Sequence, residues 1–475
     1  MNKIVLALGS VLFLYQAFFH LDVVYPDEHF QTLEVANRIV NGYGWLASEW
    51  QIGMRSYAGP GFFVPILWVL KQLGIQGGDL PIRICRAFIA LLSVITLWRF
   101  DTLLAERRLA QTSRLIALLC FATLPAMVVW MSTTLTETLS LILLWSVLPW
   151  CLKTALNREA SVRAWFFSGI LISLSFFVRP HMLAWIVPFL FCASVLTRPS
   201  LTRIAASWCA LLVVILLYGL LDYVTWGHAF QSLTSYWNWN VNQGVASHHG
   251  TSPWYSYFEL VFTNLGSAFI TFFIAVHLLG SKRGFRTQDV LVFVPSGIFI
   301  LVHSFIAHKE LRFILPIFPA LFYSTAVAFN GVLEKFNGLN EALRKTFNKP
   351  ASVMITAIFF ATICFASLDD SRFFSKSDAA ELSVEVQKRG LLQNENQDCL
   401  LLVNHYWIWT RGEMVHGRRI RFIERSLRDL TPNDLNSCRS AIVERSAALR
   451  FQVQAGAQWK PVKQNIAGHS LFVQD

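Results

Sequence analysis

The chain's 475 residues are 54% hydrophobic and only 15% charged, against roughly 25% charged in soluble domains; this excludes a water-soluble enzyme for most of its length. A net charge of +11 is not a nucleic-acid footprint, because Lys and Arg collect in short loops between apolar runs, as on the cytoplasmic side of membrane proteins. The eight cysteines contain no C-x-x-C pair, which argues against a structural metal cluster.

Met1-Asn2-Lys3 leads into an apolar run from Ile4 to Phe19 with no small-x-small cleavage site behind it, the pattern of a retained signal anchor. Further apolar runs approach the ~20 residues that cross a bilayer as a helix. They predict spans at 4–24, 80–104, 114–131, 134–152, 163–179, 182–197, 204–221, 259–279, 290–306, 312–331 and 351–368. None shows the two-residue alternation of barrel strands, so the expected fold is an all-α polytopic membrane protein of about 11 transmembrane helices.

The loops alternate in charge. Arg107, Arg108, Arg114, Lys153, Arg158, Arg163, Arg198, Arg203, Lys282, Arg283, Arg286, Lys335, Arg344, Lys345 and Lys349 fall on one side, whereas Asp222–Phe258 on the other contains no Lys or Arg. The positive-inside rule then puts the N-terminus and the basic loops in the cytoplasm. Residues 25–79 become a long external loop. Its apolar segment Phe62–Gly74 is too short to span and reads as re-entrant or interfacial, and Phe30, Leu33, Ile39 and Val40 mark an amphipathic helix before it. Residues 1–368 form the membrane domain. Residues 369–475 are polar enough to be soluble and are expected to form a small extracytoplasmic α/β domain. Cys399 and Cys438 lie there, either apart or as a disulfide if the compartment is oxidising.

The polar groups that suggest chemistry all fall on the external side: Asp27 and Glu28, Glu49 and Arg55, Thr136-Glu137, Arg179-Pro180-His181, and His308-Lys309-Glu310-Leu311-Arg312-Phe313. Carboxylates can accept a proton and Arg, Lys or His can neutralise phosphate. A glycosyl transfer from a lipid phosphate needs both, on opposite faces of the sugar, which predicts inversion. Plainer roles compete: a helix N-cap for Asp27 and Glu28, snorkelling for His308–Arg312, a turn for Arg179 and His181, and a structural contact for Thr136-Glu137. The aromatic run Tyr236–Asn240 reads either as a surface that stacks on sugar rings or as an interfacial aromatic belt, the belt being preferred. His248-His249 lacks partner ligands at usable spacing for a metal.

Tyr25-Pro26-Asp27-Glu28-His29-Phe30-Gln31-Thr32-Leu33-Glu34, then Tyr43-Gly44, Glu49-Trp50, Arg55-Ser56-Tyr57 and finally His308-Lys309-Glu310-x-Arg312-Phe313 resemble, in order, the motifs of the GPI-anchor and lipid-linked-oligosaccharide mannosyltransferase family. The resemblance implies a GT-C type fold and inverting transfer of mannose from a polyprenyl (dolichyl-type) phosphate donor to a glycolipid acceptor on the non-cytoplasmic face. It implies Asp27 as general base with Glu28 as the second choice. His308, Lys309 and Arg312 would hold donor phosphate, Arg55 would support the loop or a phosphate, and Arg179 and His181 join them as candidate substrate-binding residues. Tyr25 stands where many relatives have His. No cofactor is required by this chemistry, and a need for a divalent metal is left open. Expected partners are donor, acceptor and membrane lipids, with no nucleic acid. The alternative is a transporter or lipid flippase, which calls for polar groups within spans and an internal repeat. The absence of any Asn-x-Ser/Thr sequon leans toward a bacterial inner membrane, with the endoplasmic reticulum as the eukaryotic counterpart.

Overall fold

The computed structural model describes residues 2–19, 25–280, 286–347, 351–356 and 358–359, then 382, 386, 389, 399–403, 421–438, 440–443, 447–456, 458–464 and 470–474. Its membrane part is helical. Helix α1 (Asn2–Phe19) is followed by four short helices of the first loop, α2 (Glu34–Asn41), α3 (Ser48–Gln51), α4 (Ala58–Gly61) and α5 (Val64–Gln72). Then come α6 (Leu80–Glu106), α7 (Gln111–Thr123), α8 (Pro125–Trp130), α9 (Thr136–Leu156), α10 (Val162–Val178), α11 (Leu183–Thr197) and α12 (Leu201–Trp226). The series continues with α13 (Gln231–Trp237), α14 (Ser256–Leu265), α15 (Ser267–Leu279), α16 (Thr287–Ser304), α17 (Phe318–Lys335) and α18 (Asn337–Phe347).

Among the described residues seven helical stretches are long and apolar enough to cross a membrane, or eight if the bent pair α14 and α15 counts as one. The chain is thus a multi-pass membrane protein, and the difference from eleven has local causes. The run 114–131 is broken where Leu124 turns extended before Pro125, which opens α8, as the residue before a proline tends to do. The run 163–179 is present as the 17-residue α10. The run 259–279 bends by 111° around Gly266, whose φ is +84°. The run 351–368 extends beyond the described residues.

Small residues let the helices approach closely, the usual device where lipid removes the hydrophobic drive between helices. A Cβ at Gly9 of α1 would lie 2.7 Å from Leu97 of α6, and one at Gly169 of α10 would lie 2.6 Å from the Ser207 carbonyl of α12. At one end of the bundle Arg107 grips Asp289 with two parallel hydrogen bonds of 2.7 and 2.8 Å. The Tyr323 hydroxyl donates to the same carboxylate at 2.8 Å, and the Arg286 backbone N–H at 2.9 Å. This ties the α6–α7 turn to α16 and α17.

The C-terminal part contains a five-stranded mixed sheet, β1 (Cys399–Val403), β2 (Arg421–Arg425), β3 (Ser440–Val443), β4 (Trp459–Gln464) and β5 (Ser470–Gln474), in the order β2-β1-β3-β5-β4. β1 is parallel to β2 and β3, and β5 is antiparallel to β3 and β4. Helices α19 (Pro432–Ser437) and α20 (Ala448–Ala455) accompany it, α19 capped reciprocally by Thr431 and Asp434. Every residue of β1 and β3 is buried, which fits the apolar run Cys399–Val403 and the Ala441–Val443 stretch. Cys399, at the start of β1, and Cys438, just before β3, are joined as a disulfide.

Candidate functional site

The site is assembled from four short segments brought to one end of the bundle. In the first, Pro26 starts a helical turn in which the Glu28 and His29 N–H groups donate to the carbonyls of Tyr25 and Pro26 at 3.0 Å each. The turn runs into a five-residue π-helix, His29–Leu33, a form that often marks functional positions. Thr32 and Thr134 hydroxyls both donate to the Glu28 carbonyl, at 2.5 and 2.6 Å, pinning the turn to the α8–α9 connection. Two neighbouring carboxylates thereby part company: Asp27 is 27% exposed and faces a cavity, whereas Glu28 is fully buried.

The second segment is the remainder of the first loop. Helix α2 ends at Gly42, with φ +83°, and the chain doubles back so tightly that a Cβ at Gly44 would meet the Glu34 carbonyl oxygen at 2.2 Å. Only glycine serves there. The Glu34 carboxylate accepts from the Trp45 N–H at 2.7 Å, and the returning chain presents Glu49, Trp50 and Arg55. Arg55 Nε donates to Glu49 at 2.6 Å and Gln31 donates to the same oxygen at 3.2 Å. Trp226 Nε1, at the end of α12, fixes the Arg55 carbonyl at 3.0 Å.

Third, α10 stops at Arg179, which is extended before Pro180, and its guanidinium donates to Glu137 in the first turn of α9. Fourth, Glu310 is extended and a 3-10 turn, Leu311–Ile317, follows. This places Arg312 at the centre of the site, only 8% exposed. Its Nε reaches Glu310 at 2.6 Å, a terminal nitrogen donates to Asp27, and Glu137 lies 3.9 Å away. The Tyr25 ring covers the guanidinium at 4.7 Å, a cation–π contact.

Charge settles the ionisation here. Packing around Asp27 pushes its pKa up, but Arg312 and Arg55 pull harder and hold it below the ordinary 3.8. Burial likewise opposes ionisation of Glu310, and Arg312 with His308 overrides it. Burial and the Glu310 carboxylate raise the Tyr25 hydroxyl to about 12, so it stays protonated.

A cavity of about 660 Å³ opens on this cluster, lined by Asp27, Glu49, Arg55, Arg179, His308, Glu310 and Arg312 among others. A smaller pocket of about 100 Å³ adjoins it, and Met54, Arg55, Arg179 and Tyr236 line both. His181 lines only the smaller one. Glu28 and Lys309 line neither; the Lys309 ammonium is held by the Ser252 and Ile306 carbonyls at 2.9 and 2.6 Å. Sequence reasoning gave no role to Glu310, although it sits inside the quoted motif, and weighed Glu137 as structural. The signal for both was charge at a membrane boundary. Tyr236, Trp239 and Asn240, read as an interfacial belt, stand on the cavity wall.

A profile of the Alg9-like mannosyltransferase family matches residues 4–397. GPI alpha-1,2-mannosyltransferase 3 of Bos taurus is 30% identical over 329 residues, 69% of this chain and 56% of its own length. GPI mannosyltransferase 3 of Candida albicans is 26% identical over 324 residues, 65% of this chain and 60% of its own. The chain therefore spans somewhat over half the length of these relatives. The crystal structure of ArnT from Cupriavidus metallidurans bound to undecaprenyl phosphate matches with a TM-score of 0.64 at 13% identity, covering 99% of this chain and 97% of that one; its apo form scores 0.62. The architecture is thus the GT-C type, and the sequence agrees: the chain belongs to the Alg9-like mannosyltransferase family.

Proposed function

We propose that the chain is an inverting mannosyltransferase that moves mannose from a polyprenyl phosphate to a hydroxyl of a glycolipid on the non-cytoplasmic face of its membrane. The observation that carries this reading is the meeting of Asp27 with Arg55, Arg179 and Arg312 around one cavity. Family membership supports a mannosyl group, and the undecaprenyl phosphate bound by ArnT supports a lipid phosphate. The Cys399–Cys438 disulfide supports an extracytoplasmic C-terminal part. The two sequence relatives described above are eukaryotic and the fold neighbour bacterial, so the proposal names the membrane face and not the organelle.

In the reaction the acceptor oxygen attacks the anomeric carbon as Asp27 takes its proton. The bond from that carbon to the phosphate oxygen breaks, and the polyprenyl phosphate leaves with one more negative charge. Arg312, Arg55 and Arg179 neutralise that charge in a site poorly open to water, where such donors act most strongly. The incoming phosphate competes with Asp27 for Arg312. It thereby loosens the pairing that keeps the carboxylate a weak base, so donor binding itself raises the basicity of Asp27. The Glu28 carbonyl holds the turn to Thr32 and Thr134, and Lys309 fastens the loop that carries Arg312.

The test is mannose transfer from radiolabelled polyprenyl-phosphate mannose to a crude glycolipid extract by purified protein, beside Asp27→Asn. Transfer that the variant loses supports the assignment. Transfer that the variant keeps removes Asp27 as base. Lipid movement in proteoliposomes with no transfer favours a flippase.

A further inference from the structure

The smaller pocket beside the main cavity has features that phosphate binding does not use. Trp50 lines it while only 1% exposed, and its indole N–H has no hydrogen-bond partner among the described residues. His181 Nε2 and Arg179 Nε, on the same walls, are also buried and unpartnered among those residues. Buried polar atoms are nearly always paired, so three unpaired ones around one pocket call for a ligand that pairs them. Apolar and aromatic surface from Val178, Leu233 and Tyr218 completes the wall. Tyr218 is not itself a reader, because its hydroxyl is engaged with Ser232 at 2.7 Å.

The chemistry of this lining selects a class of ligand. Apolar and aromatic faces with a few convergent polar edges suit a molecule with a C–H face and an O–H rim. Arg55 and Arg179 also line the main cavity, where the phosphate is placed, which leaves the smaller pocket for the neutral part of the donor. At about 100 Å³ the pocket matches roughly three water molecules at ~30 Å³ each, so a hexose ring would fill it and extend across the boundary it shares with the main cavity.

We propose that this pocket seats the ring of the transferred hexose, with Trp50 and His181 bonding its hydroxyls and the anomeric carbon at the boundary shared with Arg55 and Arg179. This rests on the transfer reaction proposed above. It assigns the large cavity to the phosphate and acceptor, and the small pocket to recognition of the sugar.

The experiment measures binding of two lipids, polyprenyl phosphate and polyprenyl-phosphate mannose, to the purified full-length protein. His181→Ala and Tyr236→Phe are compared with the wild type; the second removes only a hydroxyl from a half-exposed ring. The expected result is that the wild type binds the mannose-bearing lipid more tightly. His181→Ala should then erase about tenfold of that preference, the worth of one buried hydrogen bond, while binding the sugar-free lipid as before. A smaller loss of the same kind in Tyr236→Phe also supports the pocket, and it stands as the measurement if His181→Ala does not fold. Equal binding of both lipids by the wild type overturns the sugar seat and leaves the phosphate reading intact. So does a preference that both variants retain, or a loss that falls equally on both lipids. Failure of the wild type to bind either lipid overturns the transfer reading, and the sugar seat with it.

Discussion

Two clusters of buried charge stand at different places in the bundle, and they are built to different ends. Around Asp289 every strong donor is engaged: Arg107 with both arms, the Tyr323 hydroxyl and the Arg286 N–H. The carboxylate is fully buried, and neither of the cavities described above reaches it. Around Arg312 the pairing is just as dense, with Glu310, Asp27 and nearby Glu137, but one side opens on some 660 Å³. A closed cluster staples three helices. An open one holds its own carboxylates where a ligand's phosphate can take their place. Buried charge alone therefore does not mark a site; buried charge with room beside it does.

The contrast breaks most sharply under substitution. Asp27→Asn should slow transfer by about 10²–10⁴-fold, the usual contribution of a general base, while lowering the thermal midpoint only slightly, because Arg312 loses one partner but keeps Glu310 and Glu137 beside it. Single-turnover transfer beside a melting curve reads both; a parallel fall in the two would mean Asp27 is structural. Arg107→Ala should do the reverse. It strands Asp289 in the core, which costs about 3–5 kcal/mol, yet the folded fraction should bind polyprenyl phosphate with wild-type affinity. A weakened lipid affinity in folded protein would show that the two clusters are coupled.

Arg312→Lys sharpens the comparison within the open cluster. Lysine keeps the charge but loses the planar fork that now spans Glu310 and Asp27. Donor binding should weaken by about tenfold while a residual rate persists, and titration with polyprenyl phosphate checks it. An unchanged affinity would place the phosphate on Arg55 and Arg179 instead.

The pH dependence is smaller still. The native pKa values of Asp27 and Glu310 are held below their ordinary 3.8 and 4.5. Their pairing therefore contributes fully above the unfolded values and is lost as pH falls through the depressed ones. Between about pH 5 and 8 neither group should change the stability of the free protein. A carboxylate-dependent step in the thermal midpoint within that window would contradict the ion pairing.

How much of this was legible beforehand follows from what sequence encodes locally. Asp27, Arg55, Arg179 and Arg312 were readable because their motifs sit in loops whose side was set by Lys and Arg elsewhere. The apolar runs announced helices at nearly every expected position, but not the break at Leu124-Pro125 or the bend at Gly266, which short-range punctuation makes and hydropathy averages away. The divergence of Asp27 from Glu28 was hidden, since it depends on Thr134, more than a hundred residues on, gripping one carbonyl. Glu137 was opaque for the same reason: its partners Arg179 and Arg312 come from two distant turns.

Tyr25 offers the finest cut between the two kinds of cluster. It stands where the motif resemblance predicts His, and it contributes a ring over Arg312 and a hydroxyl that stays protonated up to about 12. Tyr25→Phe keeps the ring and should change donor affinity by less than about twofold, since the cation–π contact survives. Tyr25→Ala removes the contact and should weaken donor binding by about three- to tenfold, within the ~2 kcal/mol of a desolvated cation–π pair. Tyr25→His introduces the residue that the motif resemblance predicts, and below its pKa it would set a second positive charge against Arg312. Donor affinity in that variant should therefore improve as pH falls below about 6.5, the ordinary histidine value, because the added cation draws the lipid phosphate. If affinity stays flat with pH, position 25 faces the guanidinium alone and the phosphate binds on the far side of Arg312.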